Sequence, residues 1–165
     1  MIDEYGDIVT RVTRLKTTYA GLRVNVAIGG WNFNDPPSST YFSTMGGSYV
    51  NRQTFISSLM SYLQKYGLDG VEIGQLPTAI AFFSVFSVLT WGDLTNWEYP
   101  AATDRGGTAD DTDNFVVLLA EMREAFDAVN PGWEITCTLP SSYWYMQSFS
   151  LESMQKYISF FNMMS

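Results

Sequence analysis

Two short acidic segments contain the residues of this sequence best suited to acid–base chemistry. They span residues 67–73 (GLDGVEI) and 96–100 (NWEYP). Joined directly, they place Glu72, Asn96 and Glu98 at every second position, and alternate side chains of a β-strand face the same side. Crowded carboxyl groups cannot all ionise, so one of them stays protonated and can act as a general acid. We therefore expect one face of a strand to carry an acidic row.

The composition is that of a globular chain and narrows the range of partners. Hydrophobic residues make up 46% of the 165 positions and charged residues 16%, which suits one domain with a real core. Aromatic residues reach 16%, which fits a carbohydrate-binding cleft, although core packing is the commoner reason. The formal net charge of −8 disfavours nucleic acids and negatively charged membrane surfaces as partners.

The chain contains no histidine, which excludes several kinds of catalytic site. Serine–histidine and cysteine–histidine nucleophiles and histidine-bound zinc all need an imidazole, so proton transfer falls to carboxylates, tyrosine or lysine. Cys137 is the single cysteine and cannot form an internal disulfide. Because it lies within the apolar run 135–139, we expect a buried, unreactive thiol. We expect neither a cofactor nor a bound metal ion.

Hydrophobic periodicity predicts an α/β fold. Helical spacing indicates helices over residues 8–19, 51–66 with Asn51 as the cap, 112–129 and 151–156. Alternation and β-branched residues indicate strands over 22–28, 68–73, 134–139 and 158–164. Alternating helices and strands build a parallel sheet, and a closed eight-stranded barrel needs ~250 residues, so this chain would form about half of one. A self-contained doubly wound sheet is the alternative, but the sequence offers no glycine-rich phosphate loop to support it.

Several motifs, in the same order along the chain, resemble those of the glycoside hydrolase family 18 chitinases. The joined acidic segments are similar to the family pattern D-G-x-D-x-D-x-E, which Tyr-Pro commonly follows. Residues 27–31 (AIGGW) resemble the third-strand motif S-x-G-G-W, with Ala27 in place of serine. Residues 100–107, 139–145 and 161–165 resemble segments of the fungal, killer-toxin-like subgroup. The resemblance implies a partial (β/α)8 barrel occupying residues 1–165.

The resemblance also implies hydrolysis of β-1,4-linked N-acetylglucosamine with retention, assisted by the acetamido group of the substrate. By matching position, Glu98 is the proton donor, Asn96 stands where an aspartate orients the acetamide, and Asp69 and Glu72 begin the same row. An amide cannot supply the charge of that aspartate. Chitin or a chito-oligosaccharide would be the partner, and the location would be extracellular, although no signal peptide is visible. The residues expected to bind the sugar are Gly29, Gly30, Trp31, Asn32, Tyr99, Trp144 and Met164.

An uncharged stretch interrupts the catalytic pattern. Residues 74–95 separate its two halves, and their centre, 78–91, carries no charge. The uncharged centre is shorter than the ~20 apolar residues of a membrane span, so we do not expect it to cross a membrane. A hydrophobic lid or interaction helix is one interpretation. Translated non-coding sequence is the one we favour, because strand geometry fixes the spacing of the motif that it splits.

Two further hypotheses follow from the broken motif and the half barrel. A chitin-binding, lectin-like domain would keep an aromatic cleft without the essential carboxylates. The product of a faulty gene model would have no function. An open half barrel also leaves parallel strands unpaired at its edges, which predicts self-association or poor folding.

Overall fold

Helices and strands alternate along the chain, as the sequence predicts. The computed structural model describes residues 2–29, 33, 35–73, 97 and 99–164. The helices are α1 (Ile2–Arg14), α2 (Tyr41–Gly46), α3 (Tyr49–Tyr66), α4 (Asp111–Val129), α5 (Tyr143–Met146) and α6 (Leu151–Met154). The strands are β1 (Asn25–Ala27), β2 (Gly70–Ile73), β3 (Glu134–Leu139) and β4 (Phe160–Met163). Short 3₁₀-helices lie at Leu15–Thr17 and Thr103–Arg105.

The four strands of the described part form one parallel sheet in the order β1-β2-β3-β4. Its register pairs Ala27 with Glu72, Glu72 with Thr136, and Thr138 with Asn162. Helices α2 and α3 lie between β1 and β2 in the chain, α4 precedes β3, and α5 and α6 precede β4. Parallel neighbours joined through helices confirm the predicted α/β class.

Local capping chemistry sets the bounds of the long helix α3. Ser48 caps it, because the Ser48 side chain accepts a hydrogen bond from the backbone of Asn51 at 3.5 Å. The prediction that Asn51 is the cap was therefore wrong, and its side chain instead donates to the Thr44 carbonyl at 3.2 Å. Gly67 ends the helix as predicted, in the left-handed conformation with φ of 64°.

Other elements differ from the sequence-based expectation at their ends. Helix α1 stops at Arg14 rather than at residue 19, and the Thr17 hydroxyl donates to the Arg14 carbonyl at 2.7 Å, a local bond that competes with regular helix. Strand β3 has the predicted bounds, whereas β1, β2 and β4 are shorter than predicted. Helices α2 and α5 were not predicted, because six and four residues are too few to show a helical stripe.

The two faces of the sheet differ in polarity. Strand residues Val71, Ile73, Ile135 and Cys137 belong to the hydrophobic core, and so do residues of α3 and α4, among them Leu63, Leu119 and Phe126. Cys137 is buried, as expected. The alternate residues of the strands form the other face, and several of them are polar yet buried: Asn25, Glu72, Thr136 and Thr138.

A charged pair joins the helices outside the sheet. Arg52 of α3 donates from Nη2 and Nε to the two carboxylate oxygens of Glu121 in α4, at 2.7 and 3.0 Å. Its Nη1 donates to the Gly46 carbonyl of α2 at 2.6 Å. The hydrogen bonds between the two side chains raise the pKa of Arg52 and lower the pKa of Glu121. The bidentate pair therefore joins α3 to α4, and the bond to Gly46 joins both to α2.

Among the helices of the described residues, none combines the length and the apolar character needed to cross a membrane. Residues 74–95, the predicted insert, lie outside the described residues.

Candidate active site

The polar face of the sheet is built around Glu72 of β2. Its Oε1 accepts a hydrogen bond from Thr138 Oγ1 at 2.7 Å, and its Oε2 accepts one from Asn162 Nδ2 at 3.0 Å. Thr136 Oγ1 also lies within hydrogen-bonding distance of Oε2. The carboxyl group thus contacts polar side chains of β3 and β4, and we call these four residues the Glu72 cluster.

Strand register explains why these side chains meet. Glu72 is paired directly with Thr136, and Thr138 with Asn162, so one row runs across three strands on the same face. On its other side Glu72 is paired with Ala27 of β1, which has no polar side chain. The partners of the carboxyl group therefore all lie toward β3 and β4.

Burial dominates the electrostatics of Glu72. The residue is 6% exposed, and desolvation raises its pKa, while the hydrogen bonds from Thr136, Thr138 and Asn162 act in the opposite direction. None of the ion pairs in the described part of the chain includes Glu72. Burial and the nearby carboxyl group of Glu72 also raise the pKa of the Cys137 thiol, which keeps that thiol protonated.

Asp69 lies apart from the Glu72 cluster. It precedes β2, and its carboxylate accepts from Lys16 Nζ and from the Val24 backbone, both at 2.7 Å. Its own backbone N–H donates to the Val24 carbonyl at 2.8 Å. Asp69 therefore sits at the amino-terminal end of the strand, whereas Glu72 is near the carboxyl end. The expectation that these two residues begin one row is corrected, because an odd spacing along a strand sends side chains to opposite faces.

Other predicted site residues follow the carboxyl ends of the strands. Gly29 follows β1 with φ of 110°, one residue beyond Ile28, whose N–H donates to the Glu72 carbonyl at 3.0 Å. Met164 follows β4, and its N–H donates to the Leu139 carbonyl at 2.9 Å. Carboxyl ends of parallel strands meet at one edge of a sheet, which is where barrel active sites form.

Of the three aromatic residues predicted to bind the sugar, Tyr99 and Trp144 are described, and they differ in exposure. Tyr99 is buried and stacks on Tyr145 with ring centres 4.2 Å apart. Trp144, in α5 beyond the end of β3, is 72% exposed. Trp144 is thus available for contact with a ligand, whereas the ring of Tyr99 is occupied by packing. Five predicted site residues lie outside the described residues: Gly30, Trp31, Asn32, Asn96 and Glu98.

Sequence reasoning missed the other members of the Glu72 cluster, Thr136, Thr138 and Asn162. A signal was present in β3, where Glu134, Thr136 and Thr138 alternate with apolar residues. That pattern indicates a polar side of the strand but does not say which carboxyl group the hydroxyls meet.

Comparison with known proteins identifies the family. The family model described as Glycosyl hydrolases family 18 matches residues 2–165. The chain belongs to this family. An endochitinase of Manduca sexta is 34% identical over 128 residues, and the alignment covers 78% of this chain but 18% of that protein. The killer toxin subunits alpha/beta of Kluyveromyces lactis are 27% identical over 136 residues, covering 81% of this chain and 10% of that protein. The family 18 chain thus spans less than a fifth of these relatives.

Solved structures of the family confirm the fold. The Group IV chitinase of Ostrinia furnacalis superposes with a TM-score of 0.72 at 26% identity, covering 94% of this chain and 34% of that one. Chitinase ChiW from Paenibacillus gives a TM-score of 0.72 at 25% identity, covering 96% and 16%. The parallel strands and outer helices described above are therefore part of a (β/α)8 barrel.

Proposed function

We propose that this chain forms part of the active site of a chitinase-type hydrolase that cleaves β-1,4-linked N-acetylglucosamine, with Glu98 as the proton donor. The observation that carries the proposal is the family match over residues 2–165, which includes both halves of the acidic pattern. The substrate class follows from the relatives, several of which are described as chitinases.

The proposed reaction uses the acetamido group of the substrate as the nucleophile. Glu98 gives its proton to the glycosidic oxygen, the bond to the anomeric carbon breaks, and the acetamide oxygen bonds to that carbon to form an oxazolinium ion. Water then attacks the same carbon and returns a proton to the Glu98 carboxylate, which restores the acetamide with net retention. Asn96 would hydrogen-bond the acetamide without adding negative charge.

The residues on either side of Glu98 are anchored in the core, which supports this assignment. Trp97 is buried, stacks on Phe42 with ring centres 5.6 Å apart, and lies 5.3 Å from the ring of Phe115. Tyr99 is held by its stacking on Tyr145. We also propose that exposed Trp144 stacks on a sugar ring.

A second candidate is chitin binding without hydrolysis. It is favoured by the hydrogen bonds that occupy both oxygens of Glu72 within the protein. With an amide at Asn96, the site then has few carboxylates left to stabilise a cationic intermediate. The extracellular location implied by the resemblance stays a prediction.

Sugar release and chitin binding, measured on the same protein, separate these candidates. We expect release from a chromogenic chitobiose substrate to fall at least ~100-fold in Glu98→Gln, while binding to chitin beads is retained. Glu152→Gln, which changes an exposed residue of α6, is the matched control and should behave as wild type. Binding without release in the wild type would support the binding module. Neither binding nor release would reject both functions.

A further inference from the structure

A turn at residues 99–102 holds one residue in an unfavourable backbone conformation. Among the described residues other than glycine, Ala101 is the one with a positive φ, of 60°. Pro100 precedes it, and the Ala102 N–H donates to the Tyr99 carbonyl at 3.0 Å, which are the features of a type II turn. The third position of such a turn favours glycine, because a Cβ is strained in the left-handed conformation. Strain of this kind persists only where surrounding contacts hold it.

Asp111 supplies such a contact to the turn. Its Oδ2 accepts a hydrogen bond from the Ala101 N–H at 3.3 Å, and its side chain is fully buried. The same oxygen accepts from Ser43 Oγ and from the Thr108 N–H, both at 2.8 Å, and Oδ1 accepts from Thr108 Oγ1 at 2.8 Å. One buried carboxyl group therefore joins the turn to α2 and to the segment that precedes α4.

Capping of α4 explains only part of this arrangement. The Asp111 N–H donates to the Thr108 carbonyl at 3.1 Å while the Asp111 carboxyl group accepts from Thr108, so these two residues close the amino-terminal end of the helix. The hydrogen bonds from Ser43 and Ala101 do not serve that end, because neither residue belongs to α4. They connect Asp111 to the turn and to α2, 68 residues earlier in the chain.

Helix α2 extends this connection to the other sequence neighbour of Glu98. Ser43, which donates to Asp111, follows Phe42, whose ring stacks on buried Trp97 with ring centres 5.6 Å apart. Trp97 precedes Glu98 in the sequence, and the turn follows it. Asp111 thus holds the backbone after Glu98 directly, and it is linked through α2 to the contact of the residue before it.

We propose that Asp111 is a positioning residue for Glu98. By accepting from Ala101 it holds the turn in the left-handed conformation, which fixes the chain immediately after the proton donor. The catalytic part of this inference rests on the proposed function, whereas the link between Asp111 and the turn does not. Because a proton donor acts only within hydrogen-bonding reach of its acceptor, a displaced Glu98 lowers kcat and leaves KM nearly unchanged.

Amide hydrogen exchange, followed by NMR, tests the link without substrate. In Asp111→Ala the Ala102 N–H should exchange about tenfold faster relative to the amides of β3, because the turn loses the contact that offsets the left-handed strain. Ala101→Gly in the same variant should restore slow exchange, since glycine adopts this conformation without that strain. Unchanged exchange in Asp111→Ala, or no restoration by glycine, would overturn the link.

Steady-state kinetics on a chromogenic chitobiose substrate test the catalytic consequence. We expect the kcat of Asp111→Ala to fall about tenfold while KM stays within about twofold of the wild type. Adding Ala101→Gly should recover most of that loss, whereas the loss of a helix cap alone would not be repaired by a change at residue 101. A kcat that stays low in the double variant, or a loss confined to KM, would reject the positioning role.

Two further positions provide the control and a milder variant. Thr112→Val removes the hydrogen bond that Thr112 Oγ1 donates to the Ser148 carbonyl at 2.9 Å, near the same end of α4, and should leave kcat and the exchange of Ala102 at wild-type values. If Asp111→Ala does not fold, Ser43→Ala removes one donor to Oδ2 and should shift both readouts several-fold in the same direction. Ser43→Thr keeps the hydroxyl and should return both. Wild-type values in Ser43→Ala would then contradict the proposal.

The two readouts can fail separately. A wild type that releases no sugar would reject the proposed function and the catalytic part of this inference, while the exchange rates still decide whether Asp111 holds the turn. Equal kcat in the wild type and in Asp111→Ala would keep the proposed function and reject the positioning role.

Discussion

Individual carboxyl groups in this domain are stabilised in different ways. Asp69 pairs with Lys16, whereas Glu72 has no ionic partner in the described residues and contacts hydroxyl and amide groups. Asp111 is fully buried and accepts from Ser43 Oγ, Thr108 Oγ1 and the Thr108 backbone, each at 2.8 Å. The residue type alone therefore does not determine the role of an acid.

Replacing Asp111 by asparagine should destabilise the chain by about 1–3 kcal/mol, because both carboxylate oxygens accept hydrogen bonds and an amide leaves donors unsatisfied. Urea denaturation measures the change. Asp110→Asn, at an exposed neighbouring position, is the control and should leave the midpoint nearly unchanged. Equal shifts in both variants would contradict the anchoring role of Asp111.

At the level of elements, two positions at β2 and just before it require glycine for different physical reasons. Gly67 has φ of 64°, and a Cβ added there would have no heavy atom within 4 Å, so its backbone conformation requires glycine. A Cβ at Gly70 would lie 2.3 Å from the Glu134 carbonyl oxygen, so the close approach of β2 to β3 excludes a side chain. The glycine of the Asp-Gly pair in the motif is thus a packing requirement of the sheet.

Alanine substitutions should separate the two causes. Gly67→Ala is expected to cost about 1–2 kcal/mol from left-handed strain, whereas Gly70→Ala should cost about 3 kcal/mol because backbone atoms of β3 must move. Chemical denaturation of the two variants at the same pH measures both. A smaller loss for Gly70→Ala than for Gly67→Ala would show that the strands can separate at low cost.

At the level of the whole molecule, the described sheet ends at β1 and β4. The Val24 carbonyl accepts a hydrogen bond from the N–H of Asp69, and the Ile28 N–H donates to the Glu72 carbonyl. Because the backbone groups of successive strand residues point to opposite sides, the N–H of Ala27 points away from β2. An outward row of backbone groups is a template for pairing with another strand. The 165-residue chain by itself should therefore associate.

Light scattering coupled to size-exclusion chromatography, over a range of concentrations, tests this association. We expect species larger than the monomer in the wild type and fewer of them in Ala27→Pro, which removes the outward N–H and leaves the bonds to β2 in place. A monodisperse monomer with one sharp melting transition would contradict the expectation.

The sequence by itself determined the fold class, the end of α3 at Gly67, the bounds of β3 and the family. These features depend on neighbouring residues: side-chain periodicity, the backbone freedom of glycine, and motifs of a few positions. The expectation that Cys137 is buried was correct for the same reason, since its apolar neighbours indicate burial.

Tertiary structure alone decided which groups meet at the site. Glu72 meets Thr136, Thr138 and Asn162 across 64, 66 and 90 residues, and Asp69 meets Lys16 across 53. Such pairs arise from strand register and from the end of the strand at which a residue lies, and a local pattern contains neither. The physical reason is that the free energy of a buried carboxyl group depends on the donors around it, and in this chain those donors come from other strands.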